Sequence, residues 1–221
     1  MILNIETATK NCSVSLAKDG QLIDLTEYAG TGYSHAEKLH VFIDEILRKN
    51  KLSATDLQAV AVSMGPGSYT GLRIGVSAAK GMAYALNIPL ISVSTLASMA
   101  RQIKQTDAYI IPMIDARRME VYSAVFDHKY QMIREVEAEI LSPESFLPYL
   151  EQRQVYFVGD AVAKTKEIVQ HKNAVFTDVL YPSAKEMVEL SQQKFAQNDF
   201  EDTAYFEPFY LKDFISTVKR K

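Results

Sequence analysis

With 221 residues, 48% of them hydrophobic and 23% charged, the chain has the composition of an ordinary soluble globular protein, long enough for one large domain or two small ones. A formal net charge of −3 excludes a global positive field that would hold nucleic acid unaided. The single cysteine, Cys12, excludes an intramolecular disulfide and an all-cysteine metal cage, which fits a reducing, cytoplasmic setting. The expectation is a cytoplasmic protein without signal peptide or membrane span, since no leader pattern opens the chain and no apolar run nears 20 residues.

Ile2-Leu-Asn-Ile-Glu6 reads as a short buried strand, and Cys12-Ser-Val-Ser-Leu-Ala17 alternates as a half-buried one. Asp19-Gly20 signals a hairpin into a returning strand from Gln21 to Tyr28, so the chain opens on a three-stranded meander. Ser34-His-Ala-Glu37 is a capping box, after which Leu39, Phe42, Ile43, Ile46 and Leu47 recur on one helical face. Ser53 to Leu57 is a short turn or helix. Ala59 to Met64 is then a buried strand leading into Gly65-Pro-Gly-Ser-Tyr-Thr-Gly-Leu-Arg-Ile-Gly75 and a helix to Leu86. Ser68 or Thr70 is the expected cap. Ile88 to Val93 reads as a strand, and Ser94 caps a helix through Lys104.

The domain boundary is expected at Gln105-Thr-Asp107, giving an N-terminal lobe, 1–105, and a C-terminal lobe, 106–221. The second lobe has strands at Tyr109 to Asp115 and Glu120 to Phe126, then a third ending near Ala138. A helix start at Ser142-Pro-Glu144 and a strand at Val155 to Val158 follow. A turn at Gly159-Asp160 leads to a helix, and a capping box at Ser183-Ala-Lys-Glu186 opens a helix to about Gln197. The apolar tail Glu207-Pro-Phe-Tyr-Leu211 is expected to dock, with the N-terminal lobe as its candidate surface. Two α/β halves of the same order predict duplicated lobes facing across a cleft.

Strand, glycine turn and helix N-terminus aim backbone N–H groups at one point, as an anion site or docking loop would. A well-built βα turn explains the same residues. The segment is not a P-loop, because Leu72-Arg73 follows Gly71 where Lys and a hydroxyl residue belong. Small residues line the next helix: Gly71, Gly75, Ala78, Ala79, Gly81 and Ala83. They suit close approach of another backbone, within the chain or from another chain. Arg73, Ser77, Lys80 and Tyr84 share one mixed face that suits an interface rim. Asp115-Ala-Arg-Arg-Met-Glu120 reads equally as a substrate-facing loop or a solvated turn, and Arg117 or Arg118 can grip an anion bidentately. His35 and His40 are five apart, off one helical face, and offer no metal pair.

Several stretches in order resemble the bacterial TsaB (YeaZ) family: Ile2 to Thr9 with Cys12-Ser-Val14, Gly65 to Gly75, Ser92 to Leu96, Ile114 to Arg117 with Glu120-Val-Tyr122, and Glu207 to Leu211. The resemblance implies a two-lobed fold of the actin-like, sugar kinase and Hsp70 ATPase kind with a reduced second lobe. It implies a supporting, non-catalytic subunit in forming threonylcarbamoyladenosine on tRNA, beside the anticodon. The implied partners are a TsaD-type transferase and a TsaE-type ATPase, with tRNA reached through the complex and a homodimer in isolation. No catalytic, cofactor-binding or metal residue is assigned, and a nucleotide is possible only at the partner interface. By helix, the implied interface comprises His35, Leu39, Phe42, Ile46, Arg73, Ser77, Lys80 and Tyr84, and Lys80→Glu is expected to weaken partner binding without changing the thermal unfolding curve. The alternatives are an ATP-dependent small-molecule kinase of the same fold, using Glu6 and Asp115, and a metallopeptidase, which the missing histidine pair argues against.

Overall fold

The computed structural model describes residues 1–30, 35–104 and 107–212. The first half runs β1 (Ile2–Glu6), β2 (Asn11–Lys18), β3 (Gln21–Ala29), α1 (His35–Lys49), a single 3-10 turn (Ala54–Asp56), β4 (Ala59–Gly65), α2 (Tyr69–Leu86), β5 (Leu90–Ser94) and α3 (Thr95–Ala100). Its strands form one sheet in the order β3-β2-β1-β4-β5. The meander pairs are antiparallel, while β1–β4 and β4–β5 are parallel. Asp19 and Gly20 both take positive φ at the expected hairpin.

The second half repeats this plan. β6 (Tyr109–Asp115), β7 (Glu120–Phe126), β8 (Met132–Ile140), β9 (Val155–Val158) and β10 (Ala174–Phe176) form a sheet in the order β10-β9-β6-β7-β8. It again has two antiparallel pairs and two parallel ones. The reduction falls on the helices: α4 (Leu147–Leu150) and α5 (Val162–Ile168) stand where the first lobe has fifteen- and eighteen-residue helices. A last helix, α6 (Met187–Gln197), follows.

The apolar run Ala59-Val-Ala-Val62 in β4 reflects burial on both faces, and all five residues of β1 are buried as well, Asn4 and Glu6 included. One face packs under α1 and α2, where Leu3, Ile5, Val60 and Val62 meet Leu39, Ile46, Val76 and Ala79. The other face is covered from the far end of the chain: Ile2, Ala59, Ala61, Ile91 and Val93 cluster with Ala184 and Met187. Helix α3 packs against the second sheet, its Leu96, Met99 and Ala100 enclosed with Ile110, Ile114 and Phe126. No helix among the described residues is long and apolar enough to cross a membrane.

Several boundaries differ from the sequence expectation. Helix α3 ends at Ala100, short of Lys104, with Arg101 as its cap. Residues Ser142–Ser145 form a turn instead of a helix start, and Phe146 at φ +65 interrupts the chain before α4. Ser183 does not cap a helix either. Its hydroxyl donates to Glu27 (2.7 Å) and accepts from the Lys185 N–H (3.2 Å) within a turn, and α6 starts at Met187. The three-residue strand β10 was not anticipated. The Ser34 capping box and the end of the chain beyond Lys212 lie outside the described residues.

Candidate functional site: the helix face and the glycine loop

The glycine motif is built as an internal joint. Ser68 caps α2, its hydroxyl accepting the Gly71 N–H at 3.3 Å, and its own N–H donates to Ala8 O at 2.6 Å. A Cβ on Gly71 would lie 2.2 Å from Thr7 O, and one on Gly75 would lie 2.2 Å from Thr7 Oγ1. Thr7 Oγ1 in turn donates to Gly71 O at 2.8 Å. Gly65, at φ +112, turns the chain beneath the carbonyl of Phe209. The glycines therefore let α2 sit directly on the β1–β2 loop, and their close approach is intramolecular. From the opposite side His35 Nε2 donates to Thr9 O at 2.7 Å, and burial lowers the pKa of its ring.

Glu6 lies at the centre of this joint and is fully buried. One carboxyl oxygen accepts from Ala8 N–H (2.6 Å) and from Ser63 Oγ (2.9 Å), while Oε2 has no hydrogen-bond partner. Burial pushes its pKa up to about 7, against the lowering effect of those hydrogen bonds. Asp115, the other carboxylate of the kinase alternative, is exposed and paired with Lys164 at 2.5 Å. A buried acid sealed behind a loop and a surface acid already in an ion pair are poorly disposed to act together on a substrate. Burial also pushes the Cys12 thiol up to about 11, far from a reactive thiolate. Among the described residues no three His, Cys, Asp or Glu side chains group so as to hold a metal ion.

On the outer side α1 and α2 leave a groove of about 780 Å³. Ala36 and His40 line it from α1, and Arg73, Ser77, Gly81 and Ala85 from α2. A Cβ on Gly81 would meet nothing within 4 Å, so this glycine, unlike Gly71 and Gly75, faces open space. The groove is apolar at its floor, with Ile74, Ala78, Met82 and Leu86, and polar at its rim.

The residues expected at a partner interface divide in two. His35, Leu39 and Ile46 are buried in the chain's own core and present no surface, a correction that follows from the apolar stripe of α1 facing inward. Phe42 is half-buried beside that core. Arg73, Ser77 and Tyr84 are exposed on one side of α2, with Arg73 stacked over Tyr69 at 4.2 Å and Tyr84 84% exposed. Lys80 is committed elsewhere: its Nζ donates to Ala204 O (3.2 Å) and Phe206 O (2.8 Å), tying the tail to α2. Lys80→Glu would remove both contacts, so it bears on folding and not only on partner binding, contrary to the sequence expectation. Sequence reasoning missed Ala36 and His40. Their signal was present on the polar side of α1, opposite the apolar stripe that drew attention.

The chain is similar to known proteins over nearly its whole length. The TsaB proteins of Haemophilus influenzae and Escherichia coli, each a tRNA threonylcarbamoyladenosine biosynthesis protein, are 30% and 33% identical to the chain. The alignments span 99% of the chain in both cases, and 96% and 97% of those proteins. The chain belongs to the TsaB family. A family model described as TsaD, tRNA N6-adenosine threonylcarbamoyltransferase, also matches residues 30–219, in keeping with a family related to that enzyme. Among solved structures, YeaZ from Pseudomonas aeruginosa superposes with a TM-score of 0.80 at 26% identity, over 95% of this chain and 99% of that one. An uncharacterized protein from the same species, with similarity to peptidase YEAZ, superposes at 0.82 and 25% identity over 96% and 99%. The TsaB fold is the two-lobed α/β fold of the actin, sugar kinase and Hsp70 ATPase kind, here with mixed sheets of matching order.

Proposed function

We propose that this chain is the non-catalytic partner of a TsaD-type transferase in forming threonylcarbamoyladenosine on tRNA. Its task in this reading is to present the α1–α2 face to the transferase. The observation that carries the proposal is the groove between the two helices, with an apolar floor, a polar rim and a glycine, Gly81, that faces open space. Small residues at such a place let a partner's helices approach closely, and exposed Tyr84 and Arg73 are residue types enriched where interfaces gain their energy. The same face would pair with a second copy when the transferase is absent. A TsaE-type ATPase and tRNA join through the assembled complex, and any nucleotide belongs at the interface with the partner. The sealed environment of Glu6 and the ion pair of Asp115 weigh against the kinase alternative.

The test is tRNA threonylcarbamoylation reconstituted from purified components with and without this chain. Product is expected only when it is present, and Gly81→Leu, which fills the groove, is expected to lower product formation at least tenfold at limiting protein. Equal product in the absence of the chain would refute the reading.

A further inference from the structure

Seven arginines lie within the described residues, and five have side-chain partners. Arg48 pairs with Asp44, Arg101 with Glu189, Arg134 with Glu139 and Arg153 with Asp107, while Arg73 stacks on Tyr69. The two whose guanidinium groups form no hydrogen bond or ion pair are neighbours, Arg117 and Arg118, exposed at the tip of the β6–β7 hairpin. Both hold positive φ, +72 and +52, a conformation that costs an L side chain free energy and that asparagine or glycine would adopt more readily.

The turn is held in this conformation from beneath. Asp115 Oδ1 accepts the Arg117 N–H at 2.8 Å, and Lys164 Nζ donates to Arg118 O at 3.0 Å and Glu120 O at 2.6 Å. At the base Asp115 is paired with Lys164 and Glu120 with Lys212, and Asp160 accepts the Asp115 N–H at 2.8 Å. Neither arginine side chain pairs with an acid among the described residues. Lys164 fixes the turn from beneath, and the two guanidiniums are left exposed side by side at its tip.

We propose that the β6–β7 hairpin is a phosphate-backbone contact for RNA, with Arg117 and Arg118 each engaging a phosphodiester. An exposed tip offers charge without enclosure, which suits a polyanion better than a single small ligand. The choice of RNA rests on the function proposed above. With a net charge of −3 the chain adds these contacts to the transferase's own hold on tRNA and does not replace it.

The experiment titrates a labelled tRNA transcript with the isolated chain at low salt and with its complex with the transferase over a salt series. It compares the natural chain, Arg117→Gln/Arg118→Gln, and Arg117→Asn/Arg118→Gly. Both variants are expected to weaken tRNA binding several-fold and to flatten the log–log salt slope by about 1–2, as losing two phosphate contacts requires. The Asn-Gly variant is expected to melt at a higher temperature than the natural chain, so its loss of binding is not a folding defect. Unchanged affinity and slope in both variants would overturn the proposal. So would abolition of the difference by excess ATP at constant ionic strength, which would assign the arginines to a nucleotide. Failure of the natural chain to join the transferase would overturn the function proposed above, while the isolated chain would still report on the arginines.

Discussion

Glu6 ties the chemistry of one side chain to the stability of the whole joint. Its pKa in the folded protein is about 7, against an ordinary glutamate value near 4.5, because burial disfavours the charged form. Below about pH 4.5 the group is protonated whether the chain is folded or not. Between that value and about 7 the folded state binds the extra proton, so stability must fall as the pH rises through this window. A shift of this size corresponds to roughly 3 kcal/mol lost by pH 8. Glu6→Gln keeps an acceptor for the Ala8 and Ser63 donors and replaces the protonated oxygen with an amide that never ionises. His35, whose lowered pKa acts in the opposite direction, is common to both proteins and cancels in the difference. Urea denaturation between pH 5 and pH 8.5 should show the variant gaining on the natural protein as the pH rises. Parallel pH profiles would mean that Glu6 is ionised in the folded state.

At the scale of elements, α2 carries glycines of two kinds, and substitution should separate them. Gly71→Ala forces a methyl within 2.2 Å of a backbone oxygen, a clash that only movement of the β1–β2 loop relieves. A loss of about 2–3 kcal/mol is expected. Gly81→Ala meets open space and should gain about 0.5–1 kcal/mol from helix propensity. Thermal melts of the two variants, shifted in opposite directions, check the assignment; a destabilised Gly81→Ala would show that the groove is not open. Both helices of this face were legible in the sequence, because an apolar stripe in α1 and a capped glycine turn before α2 are local signals. The duplicated strand order was legible for the same reason. What was not legible depends on distant partners. Ser183 sits in a turn before α6 and reaches across to Ser13 and Glu27 on β2 and β3, some 160 residues away in sequence. Leu39 and Ile46 are buried because α1 rests on the sheet, a contact with residues distant in sequence. The commitment of Lys80 to the tail likewise has no local sign.

Across the whole molecule the first lobe is discontinuous in sequence. The sheet face of Ile2, Ala59, Ala61, Ile91 and Val93 is covered by Ala184 and Met187. The returning tail then adds Phe206 to the core under α1 and α2. Polar contacts reinforce this closure: Ser15 donates to Ala184 O at 2.8 Å, Glu201 N–H to Leu90 O at 2.9 Å, and Phe209 N–H to Met64 O at 2.7 Å. At the other end of the lobe, the apolar side chains of α3 are buried against the second sheet rather than the first. A fragment comprising residues 1–104 would thus expose one complete sheet face and the inner side of α3, even though it contains every strand of the first sheet. Burial of a single large aliphatic side chain is worth about 1.5–3 kcal/mol, and domains are stable by only about 5–15 kcal/mol, so uncovering several such residues exceeds the margin. The fragment should show no cooperative unfolding transition by circular dichroism. Supplying residues 107–212 in trans should restore one, because the covering helix and tail are then available. A sharp thermal transition in the 1–104 fragment alone would show that the first sheet is stable with one face bare and does not need the returning tail.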